Sequence, residues 1–470
     1  MLVLRDSTLP DDTFSSMAGI FSGQRSPGRI ICRDSWKASK YNICKRFDDG
    51  TAIIYNTASD GIIGLEEDEC ARLLSDTGRI IDGFTDDEMQ TLANVGIIIP
   101  TWEDEDAILS IVRDKAIFDT GDELKIAINP TLGCNARCEY CFEAGAQHGE
   151  MTDDTVIEVA RFVERAVPEG GRITFRWFGG EPLLAYDRIT RITQEVSDRI
   201  GNRISYKSTV LTNGSLINDE IIDLMAGLWH TTEVHLTLDG TREEHNRIKH
   251  YLDKTLDGYQ VALDAAERLL SRGIAVVCRI NVTTENEEHF EEVVNEFDHM
   301  RKPGLLRLYP APTRPHTKTA LGYAIDYDRY SEMHSYTMRV LRRHGFFPSL
   351  KDFMPIRKVT CCSTRATNEL VVDCDGQIYK CMQVATRHQH TIGDVRTGLV
   401  MNEELAKWAH PTKPEECEGC VFFPICQGGC QGFRSLGSKD ISVCVNERWY
   451  MDSLLGLVHE EYVEAKGEMK

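Results

Sequence analysis

Long apolar runs are missing from this chain of 470 residues. No stretch approaches the roughly 18 uninterrupted apolar residues of a membrane span, so no membrane partner is expected. The N-terminus, MLVLRDSTLPDDTF, carries acidic residues and lacks an apolar segment of the kind that directs secretion; the chain reads as cytoplasmic. Positive charge is also in short supply. Against 74 Asp and Glu stand 53 Lys and Arg, a formal net charge of −21 that repels a phosphate backbone, and nucleic acid is not an expected partner. What is present is ordinary for a globular protein, 41% hydrophobic and 27% charged residues, in a length that suits roughly three domains. The exception is cysteine, with 16 residues. A reducing compartment does not keep a disulfide framework, so their use points to metal or redox chemistry.

The cysteines are clustered, and the clusters suggest the domains. Residues 1–39 are rich in Ser and Gly without a sustained period and are expected to be a flexible N-terminal segment. From Tyr41, two strand-like runs flank Asp49-Gly50, a hairpin signal, and a helical pattern follows. Thr85 and Glu88 have capping-box spacing, and Gly96 stops that helix. This predicts a winged-helix-like unit over 40–115. Between 120 and 350, six strand-like runs alternate with helical ones, which predicts an α/β fold with a parallel sheet, a partial (β/α)6 barrel. Loops at the C-terminal ends of its strands should carry the chemistry. Residues 351–450 break into short runs rich in Cys and Gly, a segment that needs metal staples to hold its shape. A C-terminal helix and tail, 451–470, is expected to pack back on the barrel.

Cys134, Cys138 and Cys141 follow the first barrel strand as Cys-x3-Cys-x2-Cys. Three thiolates on one loop can hold three irons of a 4Fe-4S cube and leave the fourth iron open to a ligand. The run CNARCEYCFE resembles the signature of radical S-adenosylmethionine (radical SAM) enzymes. Further motifs similar to that family follow in order. Gly179-Gly180-Glu181-Pro182 resembles its GGEP motif, and Thr212-Asn213-Gly214 ends the third strand. LTLDG, with Asp239, resembles its fourth-strand motif, and Arg279 with Asn281 in CRINV its fifth. EHNRIK at 244–249 matches only loosely, leaving the role of Arg247 open. The resemblance implies that Cys134, Cys138 and Cys141 are catalytic cluster ligands. It also implies that Phe142, Gly179, Gly180, Glu181, Pro182, Thr212, Asn213, Asp239, Arg279 and Asn281 surround S-adenosyl-L-methionine.

The C-terminal block reads Cys417-x2-Cys420-x5-Cys426-x3-Cys430-x13-Cys444, preceded by Cys362-x13-Gly376-x4-Cys381. It resembles the SPASM extension of peptide-modifying radical SAM enzymes, which implies two auxiliary 4Fe-4S clusters, three in all. By that resemblance Cys417, Cys420, Cys426 and Cys444 bind the outer cluster, and Cys381, Cys430 and one of Cys361 or Cys362 the inner one. Cys374 stands open as a further ligand or a turn thiol. The pair spacing of Cys417 and Cys420 also suits zinc. Cys278 reads as buried packing, while Cys32, Cys44 and Cys70 have no ligand spacing.

Two composite families resemble the whole: maturases of ribosomally made peptides, including the thioether-forming sactipeptide and ranthipeptide types, and anaerobic sulfatase-maturing enzymes. The latter place an acid after the cysteine equivalent to Cys381, where this chain has Met382. The segment NTASDGIIGLEEDECARLL resembles the leader-peptide recognition element of the former. The resemblance implies an enzyme that joins a cysteine sulfur of a ribosomal precursor peptide to a carbon, with its leader bound by the N-terminal unit. A flavodoxin- or ferredoxin-like reductant is the second implied partner. Carbon–carbon crosslinking and sulfatase-maturase-like oxidation are the alternatives.

Overall fold

A computed structural model describes residues 1–5, 36–74, 83–143, 149–313, 327–347, 349, 353–360, 362–410, 413–437 and 443–468. Cys32 and Cys361 lie outside the described residues. The N-terminal unit contains β1 (Leu2–Arg5), β2 (Trp36–Ala38), β3 (Asn42–Arg46), β4 (Thr51–Asn56) and β5 (Ile62–Glu66). It continues through helices α1 (Glu67–Leu74) and α2 (Asp86–Val95) to β6 (Ile98–Pro100). The Asp49-Gly50 turn joins β3 to β4, with Gly50 at φ +81°. Helix α2 starts on the Thr85/Glu88 capping box and ends at Gly96 in the left-handed conformation, as the sequence predicts.

Within the expected N-terminal segment, Leu2–Arg5 pair antiparallel with β5 and complete a sheet of order β1-β5-β4-β3. Four residues are too few to show a period, so the strand is visible only through its partner. Alternation then gives the sheet two apolar faces. Ile54, Ile63 and Leu65 pack with Leu73, Met89 and Leu92 of the helices, while Ile53, Tyr55 and Ile62 face the other way.

Helix α3 (Glu105–Phe118) leads into six parallel strands that neighbour one another in chain order. They are β7 (Glu123–Ile128), β8 (Arg172–Trp177), β9 (Ser205–Leu211), β10 (Thr231–Leu238), β11 (Ala275–Val282) and β12 (Leu306–Pro312). The connections carry α4 (Asp153–Ala166), α5 (Tyr186–Ile200), α6 (Asp219–Ala226), α7 (Arg242–Lys249), α8 (Gly258–Ser271) and α9 (Phe290–Asn295), and α10 (Tyr327–Arg343) follows the last strand. Ile126, Phe175, Val210, Leu236, Val276 and Leu308 belong to the large apolar core that joins strands and helices. The result is the partial (β/α)6 barrel read from the sequence.

The cysteine-rich region is not a separate appendage. Its first strand, β13 (Glu369–Val372), runs parallel to β7 with Val372 opposite Ile128, and β14 (Gln377–Tyr379), β15 (Gly393–Asp394) and β16 (Gly398–Leu399) extend the same sheet. Asp373 and Cys374 therefore emerge at the end of the sheet where β7 delivers the first cysteine motif. Short helices α11 (Glu403–Ala409), α12 (Phe423–Cys426) and α13 (Gln431–Ser435) precede the long α14 (Glu447–Glu468). Helix α14 does more than return to the barrel. It packs on α10 and buries Leu454, Leu455 and Val458 against the second face of the N-terminal sheet. Each such side chain contributes about 1.5–3 kcal/mol to that union. Among the described residues, no helix is long and apolar enough to cross a membrane.

Candidate active site

The loop after β7 is held from three sides. Leu132 N–H donates to Gly149 O at 2.8 Å, Glu181 N–H to Gly133 O at 2.8 Å, and Arg137 N–H to Lys249 O at 2.9 Å. The half-buried Cys134, Cys138 and Cys141 sit on this frame. Burial pushes the Cys138 thiol up to about 11, with Asp239, Cys141 and Cys134 adding to the rise; Lys249 opposes it. Burial likewise raises Cys134, and Glu181 and Cys141 add to that. Three thiols that oppose one another's ionisation are suited to a bound cation, which removes the penalty.

The motif after β8 lies against this loop. A β-carbon on Gly180 would fall 2.2 Å from Gly133 O, and one on Gly179, at φ +111°, 2.3 Å from Thr131 O. Only glycine lets the two backbones approach this closely. Glu181 is 1% exposed and caps the turn begun by Pro182. One carboxylate oxygen accepts from Thr212 Oγ1 at 2.7 Å and Leu183 N–H at 3.1 Å, the other from Asn213 N–H at 2.8 Å. The chain continues through Asn213 Nδ2 to Asn135 Oδ1 at 2.9 Å. The first cysteine loop and the ends of β8 and β9 thus form one hydrogen-bonded unit.

A second unit joins β10 and β11. Arg279 Nε donates to Asn281 Oδ1 at 2.7 Å, and Asn281 Nδ2 to Asp239 Oδ1 at 2.7 Å. Lys249 Nζ lies 3.2 Å from Asp239 and donates to Tyr140 Oη at 3.0 Å. Burial works against the Asp239 carboxylate, but Lys249, His245 and hydrogen bonds from Asn281 and Tyr140 hold it below the usual carboxylate range. The sequence left the basic residue of EHNRIK open. The structure places Arg247 on the surface, paired with Glu285, and Lys249 inside. The signal that could have found it is helical spacing, since Lys249 lies one turn beyond buried His245 on the same face of α7.

In the C-terminal region the thiols fall into two groups. Burial pushes Cys417 up to about 11, with Cys426 and Cys420 adding; burial raises Cys426, with Cys444 and Cys420 adding. Cys381 is pushed up to about 12 by burial, with Cys362 and Cys430 adding. Gly432 lies against both the Cys381 and Cys430 thiols. Cys374 stands apart from both groups. It sits on the turn between β13 and β14 and packs against Gly149 of the first cysteine loop, and burial with Asp373 and Asp375 pushes it up to about 12. Among the described residues, no three Cys, His, Asp or Glu side chains converge closely enough to hold a single metal ion.

Between the first cysteine loop and the cysteine-rich region lies a cavity of about 720 Å³, lined in part by Phe142, Glu143, Asp373, Cys374, Met382 and His388. Phe142 stacks on Phe178, ring centres 6.1 Å apart. Burial, with Asp373 beside it, pushes Glu143 up to about 7. Asp373 accepts from Asn129 Nδ2 at 3.3 Å and from the Cys374 N–H at 2.9 Å.

With this geometry in place, residues 128–297 match the Radical SAM superfamily. The chain contains a radical SAM domain, which supports enzymatic activity. Among similar proteins is a cysteine-type anaerobic sulfatase-maturating enzyme of Clostridium perfringens, 23% identical over 351 residues, 66% of this chain and 90% of that one. Among solved structures, native anSMEcpe with bound AdoMet and Cp18Cys peptide aligns with a TM-score of 0.59 at 18% identity, covering 74% of this chain and all of that one. Streptococcus suis SuiB bound to S-adenosylmethionine aligns at 0.51 and 16% identity, covering 88% and 100%. The radical SAM/SPASM architecture is common to all three folds.

Proposed function

We propose that this radical SAM enzyme modifies a ribosomally made precursor peptide, joining a cysteine sulfur to a backbone or side-chain carbon as a thioether. The observation that carries this reading is the edge of the N-terminal sheet. Strand β3 pairs with β4 alone among the described strands and leaves its other side for an added peptide strand. Main-chain hydrogen bonds would hold a leader there while side-chain pockets select it. The peptide-bound relative in the comparison supports a peptide substrate.

The donor sets would suit three 4Fe-4S clusters. Cys134, Cys138 and Cys141 would hold one and leave an iron for S-adenosylmethionine, whose amino-acid end the Gly179–Pro182 turn would frame. Cys417, Cys420, Cys426 and Cys444 would hold the outer cluster, and Cys362, Cys381 and Cys430 the inner one; the neighbouring thiols of its own group add to the rise of Cys417, of Cys426 and of Cys381. When bound and reduced, by a flavodoxin- or ferredoxin-like partner, the first cluster with S-adenosylmethionine supplies a radical able to take an unactivated hydrogen atom. The chain's own work is to position. Glu181 fixes the end of β9 against the cysteine loop, and Asp239 orients Asn281 and, through it, Arg279. The cavity would admit the peptide beside Phe142 and exclude bulk water from the reacting carbon.

Oxidation of the sulfatase-maturase type is the second reading, and one observation favours it. Met382 lacks the acid of those enzymes, yet Asp373 and Glu143 bring carboxyl groups to the same cavity. Anaerobic co-expression with a short cysteine-containing precursor, followed by intact mass before and after thiol alkylation, separates the readings. A thioether removes two hydrogens and one alkylatable thiol without creating a reducible bond. Loss of two hydrogens with all thiols free indicates a carbon–carbon crosslink, and formylglycine the oxidation. If the enzyme cleaves S-adenosylmethionine under dithionite but leaves every such peptide unchanged, the peptide reading is wrong.

A further inference from the structure

Cys44 and Cys70 stand 26 positions apart and belong to no cysteine motif. The fold brings them together. Cys44 lies on edge strand β3 and Cys70 on α1, on the face of the sheet where the helices pack, and their Sγ atoms are 3.0 Å apart. Cys44 is half-buried and reachable, whereas Cys70 is fully buried. The pair is electrically asymmetric. The hydrogen bond from Cys44, with Arg46 further along the same strand, brings Cys70 down to about 7 against the opposing effects of burial and Glu67. The same hydrogen bond and burial drive Cys44 up. One sulfur thus carries the charge and its neighbour the proton, so the buried Cys70 can serve as the base that frees the reachable Cys44 sulfur for thiol–disulfide exchange.

We propose that Cys44 and Cys70 form a redox-active dithiol that a small-molecule disulfide oxidises to an intramolecular disulfide, fixing edge strand β3 to helix α1. The proposal does not rest on the identity of the peptide. With oxidised glutathione as oxidant, Cys70 takes the Cys44 proton while the Cys44 sulfur attacks. A mixed disulfide forms and the first glutathione leaves as thiolate. Cys70 then releases the proton to that thiolate or to water, and its sulfur attacks Cys44 Sγ. The mixed disulfide breaks and the second glutathione leaves. Two electrons and one proton pass from the thiol–thiolate pair to one oxidised glutathione, and the second glutathione thiolate takes its proton from water, giving one protein disulfide and two glutathione thiols. The bond joins β3 directly to α1, so it limits how far the edge strand can move to accept a further strand.

The test uses the anaerobically purified, cluster-loaded enzyme, incubated with reduced or oxidised glutathione, then denatured, alkylated and digested. Oxidised glutathione should yield a peptide pair linked through Cys44 and Cys70, lost on reduction, with iron content unchanged. The Cys70→Ser variant should stop at a glutathione adduct on Cys44, and Cys44→Ser should leave Cys70 unmodified because it is buried. Backbone amide exchange over 42–46 should slow at least tenfold in the oxidised enzyme. A stable glutathione adduct on Cys44 of the unsubstituted enzyme, or no reaction at either cysteine, overturns the dithiol. Linkage without slower exchange overturns the fixing of the strand. If both variants misfold, the unsubstituted enzyme still decides through its linked peptide.

Discussion

Lys249 lies 3.2 Å from Asp239, the two side chains 6% and 1% exposed, directly behind the loop that carries Cys138. The ion pair joins helix α7 to the end of β10, and the Lys249 carbonyl accepts from Arg137 within the cysteine loop. A buried pair of this kind contributes little net stability when intact but is costly to break, because removing one partner strands the other charge away from water.

Lys249→Met should therefore destabilise the enzyme by about 3–5 kcal/mol. Arg247→Ala, at a side chain 54% exposed, should stay within about 0.5 kcal/mol. Anaerobic thermal melts of the two variants check the contrast, and equal melting temperatures would contradict the inward assignment of Lys249.

Gly180→Ala should disrupt the first cysteine loop, since the added carbon meets a backbone carbonyl that no side-chain rotation can clear. A cost of roughly 1–3 kcal/mol is expected, together with loss of the iron that Cys134, Cys138 and Cys141 would hold. Iron analysis and electron paramagnetic resonance of the reduced protein would register it, with the signals of the C-terminal groups retained.

The two C-terminal thiol groups predict separable iron losses. With four irons per cube, the loaded enzyme should hold about twelve, and Cys417→Ala or Cys381→Ala should each remove about four. Cys374→Ala should remove none, because its thiol faces Gly149 and the carboxylates of Asp373 and Asp375 rather than another cysteine.

His334 gives the acid limb of stability a residue of its own. It is buried, stacked on Tyr450 with ring centres 3.9 Å apart, and burial brings it down to about 3. The native ring stays neutral while the unfolded chain takes up a proton below about 6.5, so its contribution is complete above that pH and lost as pH falls toward 3. The loss at pH 5 should be about 2 kcal/mol. His334→Phe should reduce the fall in melting temperature between pH 7 and pH 5, and an unchanged fall would show that His334 takes up its proton in the native state.

Much of the architecture was legible along the chain. Alternation of strand and helix patterns over 120–350 determined the parallel sheet, because each β/α unit carries its own periodicity. The run CNARCEYCFE carried the resemblance to a radical SAM loop and the later cysteines one to a cysteine-rich extension, both local because ligands on one loop must be close in sequence to be close in space. The capping box at Thr85 and the turn at Gly50 were local as well, and local rules found them. The tertiary structure decided whatever depends on partners distant in the chain. Leu2–Arg5 became a strand only against β5, and β13 joined the barrel only through β7. Lys249, not Arg247, turned inward toward Asp239, and Cys374 faced the first cysteine loop instead of a thiol group. Cys44 met Cys70 because a sheet edge and a helix bring together residues whose spacing carries no signal. Packing and burial select such contacts, and neither is encoded in any one stretch of sequence.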